Sequence, residues 1–127
     1  MQDRKQLIEK KEREGAGYEI IQRCLVIRLQ GDLDHHNALP IRKKADKLID
    51  RNNIKHIIFD FTDTNFMDSA GIGVIMGRYK KIIFAGGKTV VANVNYTVDR
   101  VFNLSGLYKI IDKYDSVEMA IKSLQRV

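Results

Sequence analysis

One cysteine, one proline and no tryptophan occur among the 127 residues. A single thiol, Cys24, can neither close an internal disulfide nor assemble a metal cluster, so a reducing cytoplasm is the expected compartment. No apolar run reaches the ~18 to 20 residues of a membrane span, and the N-terminus lacks the apolar stretch of a signal peptide. Paired carboxylates, a nucleophile elbow and a GxxxxGK[ST] phosphate loop are all missing; AGGK at 85–88 reads as a turn before a strand. The chain is therefore not expected to be an enzyme. The length fits one domain, and 44% hydrophobic residues suffice for a core.

The charge is unbalanced: 22 Lys and Arg against 16 Asp and Glu give +6, which invites a nucleic-acid reading. Much of it is concentrated at 41–55, where Arg42, Lys43, Lys44, Lys47, Arg51 and Lys55 face only Asp46 and Asp50. These cations fall on the polar side of an amphipathic pattern, and no aromatic residues interleave there as a stacking platform for bases. A solvated helix face is expected, without direct nucleic-acid binding.

Residues 1–14 are almost entirely polar and are expected to fray with transient helix, so 1–16 reads as a flexible charged extension before a domain at 17–127. Two β-rich runs, 18–22 and 24–30, are close enough to pair as an antiparallel hairpin around Arg23, with Leu25, Ile27 and Leu29 on one face. Ala38, Ile41, Ala45, Leu48 and Ile49 then follow a helical stripe. Asn37 is the plausible N-cap, and Pro40 sits in the first turn, where its missing N–H costs nothing. Ile57, Ile58 and Phe59 suit a parallel strand buried on both faces. A helix from about Ser69 to Ala85, a strand at 89–92, a short helix capped by Asn95, a strand around Ile110 and Ile111, and a last helix carrying Val117, Ala120, Ile121 and Leu124 complete an α/β alternation.

The segment 65–81, NFMDSAGIGVIMGRYKK, is the most informative. Ile72, Ile75, Met76, Tyr79, Ile82 and Ile83 form a stripe for the sheet, which leaves Ala70, Gly73, Val74, Gly77 and Phe84 on a small, apolar opposite face. Glycine in a helix interior costs about 1 kcal/mol relative to alanine, so a close approach should compensate. Either another protein docks there or a neighbouring helix packs closely on Gly73 and Gly77. Ser69, where the loop enters the helix, is open to two readings: an N-cap hydroxyl, or a phosphoacceptor whose added charge meets the positive end of the helix dipole. Adjacent His35 and His36 diverge and make a poor metal site without a third ligand, so they read as a helix lead-in or as interface polar groups.

NFMDSAGIGVIMGRYK resembles the signature of the STAS-domain anti-sigma factor antagonists. LQGDLDHH at 29–36 is similar to that family's strand-to-helix loop, and LSGLYKII at 104–111 to its penultimate turn; together the likeness spans about 18–124. DSAG alone indicates only a STAS domain, whereas GDLDHH and GRYK point to the sporulation branch. Two features depart from the resemblance: the charged extension, and Ala70, where a similar member of the family has a second serine.

The resemblance implies a mixed, mostly parallel sheet with an N-terminal antiparallel hairpin strand and about four helices. It implies a binding switch in which the unphosphorylated protein binds an anti-sigma factor that is also a serine kinase, releasing a sigma factor of the sigma F type. Phosphorylation of Ser69 by that kinase ends the interaction, and a PP2C-type phosphatase resets it. By the same motifs Asp68, Ala70, Gly71 and Gly73 enter the kinase site, and Gly31, Asp32 and Asp34 dock beside it, Asp34 against a basic residue. ATP and Mg²⁺ belong to the kinase, so no cofactor is expected here; the free chain is expected to be a monomer in the cytoplasm of the forespore. The alternatives are a stress-response antagonist, or a STAS module binding a nucleotide or small anion at the Ser69 helix start.

Overall fold

The computed structural model describes residues 5–11 and 15–126. Its sheet comprises β1 (Lys5–Lys11), β2 (Ala16–Ile21), β3 (Cys24–Gln30), β4 (His56–Asp63), β5 (Thr89–Ala92) and β6 (Asp112–Tyr114), in that spatial order. The helices are α1 (Ala38–Arg51), α2 (Ser69–Phe84), α3 (Tyr96–Ser105) and α4 (Val117–Leu124). β1 pairs with β2 and β2 with β3 antiparallel, whereas the pairings of β3 with β4, β4 with β5 and β5 with β6 are parallel. The expected mixed α/β architecture is therefore present.

Local chemistry explains most of the boundaries. The β2–β3 turn is Gln22 and Arg23, both left-handed at φ 50° and 68°, as a two-residue primed hairpin turn requires. Arg23 also donates from Nε to the Asn53 carbonyl at 3.0 Å, tying the turn to the segment after α1. Along β3 and β4 alternate residues face opposite ways. Leu25, Ile27, Ile57, Phe59 and Phe61 join the main core beneath α1, α2 and α3, while Cys24, Val26 and Ile58 pack with Val117, Ala120 and Leu124 of α4. Burial pushes the Cys24 thiol up to about 11, so it is an inert packing group.

Four expectations change. Within the charged extension, Lys5–Lys11 is a strand paired with β2 in place of transient helix; without it β2 would be an open edge. Residues 1–4 and 12–14 lie outside the described residues. The strand expected at Ile110 and Ile111 begins at Asp112, because a 3₁₀ turn (Leu107–Lys109) follows left-handed Gly106 and Ile111 N–H still bonds the Leu107 carbonyl at 2.9 Å. Asn37 supplies no side-chain cap to α1. Asp34 organises that entry, its Oδ1 accepting from the His36 and Asn37 N–H at 3.0 and 3.3 Å. On α2 the buried set is Gly71, Val74, Ile75, Arg78 and Ile82, so Val74 lies inside and Ile83 is half-exposed. Arg78 turns toward α1 and pairs with Asp46, Nε to Oδ1 at 2.9 Å.

Candidate functional site

Because β3, β4 and β5 are parallel, the loops that leave their C-terminal ends gather at one end of the sheet, where open α/β sheets present their sites. The β3–α1 loop carries Gly31, Asp32 and Asp34, and the β4–α2 loop carries Asp68 and leads into Ser69. Backbone bonds fasten the two together: Gly31 N–H to the Asp63 carbonyl at 3.1 Å, Leu33 N–H to that of Phe66 at 3.0 Å, and Asp68 N–H to that of Leu33 at 3.3 Å. Leu33 and Met67, both buried, form a parallel bridge beneath.

Asp68 is the N-cap of α2. Its Oδ1 accepts from the N–H of Ala70 at 2.9 Å and of Gly71 at 3.2 Å. Its Oδ2 faces the β3–α1 loop, 3.2 Å from the His35 N–H and 3.3 Å from His35 Nδ1. Desolvation alone would raise the Asp68 pKa; the hydrogen bonds from the His35 side chain and from the N–H groups of Gly71, His35 and Ala70 outweigh it and hold the carboxyl below its ordinary range. One carboxylate thus caps the helix and clamps the neighbouring loop.

With Asp68 as the cap, Ser69 is the first helical residue. It is exposed, and among the described residues no hydrogen bond engages its hydroxyl. The N-cap reading of Ser69 is thereby replaced by Asp68. The same geometry bears on the anion-site alternative, since an external anion would have to displace the Asp68 carboxylate from the Ala70 and Gly71 N–H groups.

The glycines divide in two. Gly71 is buried, and a Cβ there would collide with the Leu33 carbonyl oxygen and the Met67 and Leu33 side chains. It lets α2 approach the β3–α1 loop and offers no surface to a partner. Gly73 and Gly77 are the reverse: a Cβ on either meets nothing within 4 Å. Among the described residues no neighbouring helix packs closely on them; Gly73 is exposed and Gly77 partly exposed. Gly31, at φ +95°, reverses the chain where a side chain would be strained. Asp32 is exposed, whereas Asp34 and Ala70 are partly buried. Asp34, engaged in the start of α1, has less freedom to meet a partner than the sequence suggested.

The sequence reading overlooked an apolar component at this end. Phe66 in the β4–α2 loop is 47% exposed, Leu39 at the start of α1 47%, and Tyr96 on the first turn of α3 74%. Asn95 brings the β5–α3 loop in, its Nδ2 donating to the Thr64 carbonyl at 2.6 Å and its Oδ1 capping α3 at the Val98 N–H. The available signal was positional: an aromatic beside the DSAG segment and another after a cap. The cations Lys43, Lys47 and Arg51 are exposed on α1. Among the described residues no three His, Cys, Asp or Glu side chains are placed to hold a metal ion. No described helix is long and apolar enough to cross a membrane.

Residues 16–120 match the family model described as STAS domain. The anti-sigma F factor antagonist of Paenibacillus polymyxa is 43% identical over 103 residues, covering 81% of this chain and 88% of that protein. The structure of the anti-sigma factor antagonist SpoIIAA in its unphosphorylated form superposes with a TM-score of 0.79 at 34% identity, covering 88% of this chain and 97% of the other. The Bacillus cell fate determinant SpoIIAA in its phosphorylated form gives 0.69 at 35% identity, over 85% and 97%.

Proposed function

The chain belongs to the STAS-domain family of anti-sigma factor antagonists, regulatory proteins without enzymatic activity, and on that footing we propose that its unphosphorylated form binds an anti-sigma factor with serine-kinase activity and so frees a sigma factor of the sigma F type. The observation that carries the switch is the position of Ser69: exposed, first in α2, and relieved of the capping role by Asp68. A hydroxyl so placed can enter a kinase site while the fold around it stays intact.

The surface around it suits a reversible contact. Gly73 and Gly77 allow close approach to the backbone of α2, and Phe66, Leu39 and Tyr96 supply apolar area. Phosphorylation adds about 1.5 to 2 negative charges and three acceptor oxygens, beside Asp68 and within a surface that already holds Asp32 and Asp63. A partner shaped for small, acidic and apolar groups is then met by bulk and further negative charge, while the helix dipole partly offsets the cost to this chain. A PP2C-type phosphatase would restore the hydroxyl. ATP and Mg²⁺ stay with the kinase, and the free chain acts as a cytoplasmic monomer, in the forespore where the sporulation pathway operates.

The test is phosphosite mapping. Incubated with an anti-sigma factor kinase of the sigma F type and Mg-ATP, the chain should gain one phosphate, on Ser69, and Ser69→Ala should gain none. Modification at another residue, or none, contradicts the assignment.

A further inference from the structure

His35 is the part of this surface that docking leaves unexplained. It is the residue on the β3–α1 loop that reaches across to α2, with its N–H and its ring Nδ1 both directed at Asp68 Oδ2, at 3.2 and 3.3 Å. Its side chain is nevertheless 70% exposed, so the ring is positioned by this contact and is not locked in a core. The groups that face it are Asp68 from α2 and, from its own loop, His36, whose ring centroid is 4.0 Å away, and Asp34, whose Oδ2 lies 3.8 Å from His36 Nδ1. Ser69 follows Asp68 directly, and consecutive Cα atoms are only ~3.8 Å apart.

We propose that His35 is the intramolecular counter-group of the phosphate on Ser69. This rests on the reading of Ser69 as the phosphoacceptor and adds how the modified state reaches the second docking segment. Asp68 Oδ1 remains committed to the Ala70 and Gly71 N–H groups, so the helix start keeps its cap. Oδ2 holds His35 with a single negative charge, against which a neighbouring dianion competes for the imidazole ring. As the ring turns to a phosphate oxygen, the β3–α1 loop loses one of its ties to α2. Phosphorylation thereby alters Gly31, Asp32 and Asp34 as well as Ser69 without disturbing the core.

The proposal is tested on the full chain with phosphoserine installed at position 69 by genetic-code expansion, which makes the measurement independent of any kinase. The readout is the ³¹P titration of that phosphate, whose second ionisation falls near pH 6 in the absence of partners. A cation beside it favours the dianion. Relative to the phosphorylated parent, His35→Gln should raise the ³¹P midpoint by about half a pH unit, a roughly threefold change in proton affinity for a pair this exposed to solvent. His35→Lys should return it toward the parent value, and His36→Gln should move it by less than a third as much. Equal midpoints for the parent and His35→Gln overturn the proposal. So does an equal effect of His36→Gln, because the influence would then be a diffuse field with no paired group. If the kinase instead modifies another residue, the proposed switch fails while this measurement still stands.

Discussion

Replacing Gly73 by alanine should make the protein more stable and less functional. A Cβ at that position meets no atom within 4 Å, so the substitution brings only the gain in helix propensity, about 0.5 to 1 kcal/mol in a helix interior. For a domain of this size that raises Tm by roughly 2 to 5 °C. Gly71→Ala, two residues earlier on the same helix, should do the opposite. Its Cβ would strike the Leu33 carbonyl and the Met67 side chain, and overpacking of this kind costs about 1 to 3 kcal/mol. After the propensity gain, a net loss of up to about 2.5 kcal/mol remains, with the β3–α1 loop displaced. Urea or thermal unfolding of the two variants gives the stability terms, and calorimetric titration into the anti-sigma kinase gives the binding terms. A methyl group wedged into a close backbone contact should weaken binding by Gly73→Ala about tenfold, or ~1.4 kcal/mol. If Gly73→Ala destabilises the free chain, the open surface over α2 has been misread; if it binds as the parent does, Gly73 is no docking contact.

Other substitutions separate cap, acceptor and core. Ser69→Asp should leave the unfolding midpoint within about 0.5 kcal/mol of the parent in urea titrations, because the cap is Asp68, while weakening kinase binding. Asp68→Ala should cost about 1 to 2 kcal/mol by the same assay, since it removes the α2 cap and the loop clamp together. Stability should also fall on acidification, in two ranges. His56 is buried and accepts from the Lys88 N–H through Nδ1 at 3.0 Å; burial first, then Lys55, Arg23 and Lys88, lower its pKa in the fold. Its contribution is complete above the unfolded value of about 6.5 and is lost as pH falls toward the lower folded value. Asp60 adds a second decline below about pH 4: desolvation would raise its pKa, but hydrogen bonds from Thr62, Asn93 and Arg28 prevail and lower it. Chemical denaturation across pH 3 to 8 should show both declines, and His56→Gln should flatten the upper one.

The parts of the fold legible in the sequence were those with strong periodicity. The stripes of α1 and α4, the hairpin around Arg23 and the buried run 57–59 each had a pattern that only one element satisfies. The failures share a cause in tertiary pairing. Residues 5–11 carry no apolar alternation, and their strand exists because the backbone of β2 offers an edge. The Ile110 and Ile111 pair looks like a strand, yet Gly106 in a left-handed conformation winds the chain into a turn first. At the site, motif and periodicity brought Ser69, Gly71 and Gly73 to one helix start, but periodicity could not separate Gly71 from Gly73. Only the position of the Leu33 carbonyl shows that one glycine serves the interior and the other the surface. The roles of Asp34 in ordering the turn before α1 and of Asp68 in capping α2 were hidden for a related reason, because an Asn and a Ser stood at equally plausible positions.

Displacement of the sigma factor tests the central claim most directly. Sigma factor bound to the anti-sigma kinase, labelled and followed by fluorescence anisotropy, should be released when the unmodified chain is added, and should stay bound when the chain carries phosphoserine at position 69. Release by both forms, or by neither, contradicts a switch that operates through Ser69.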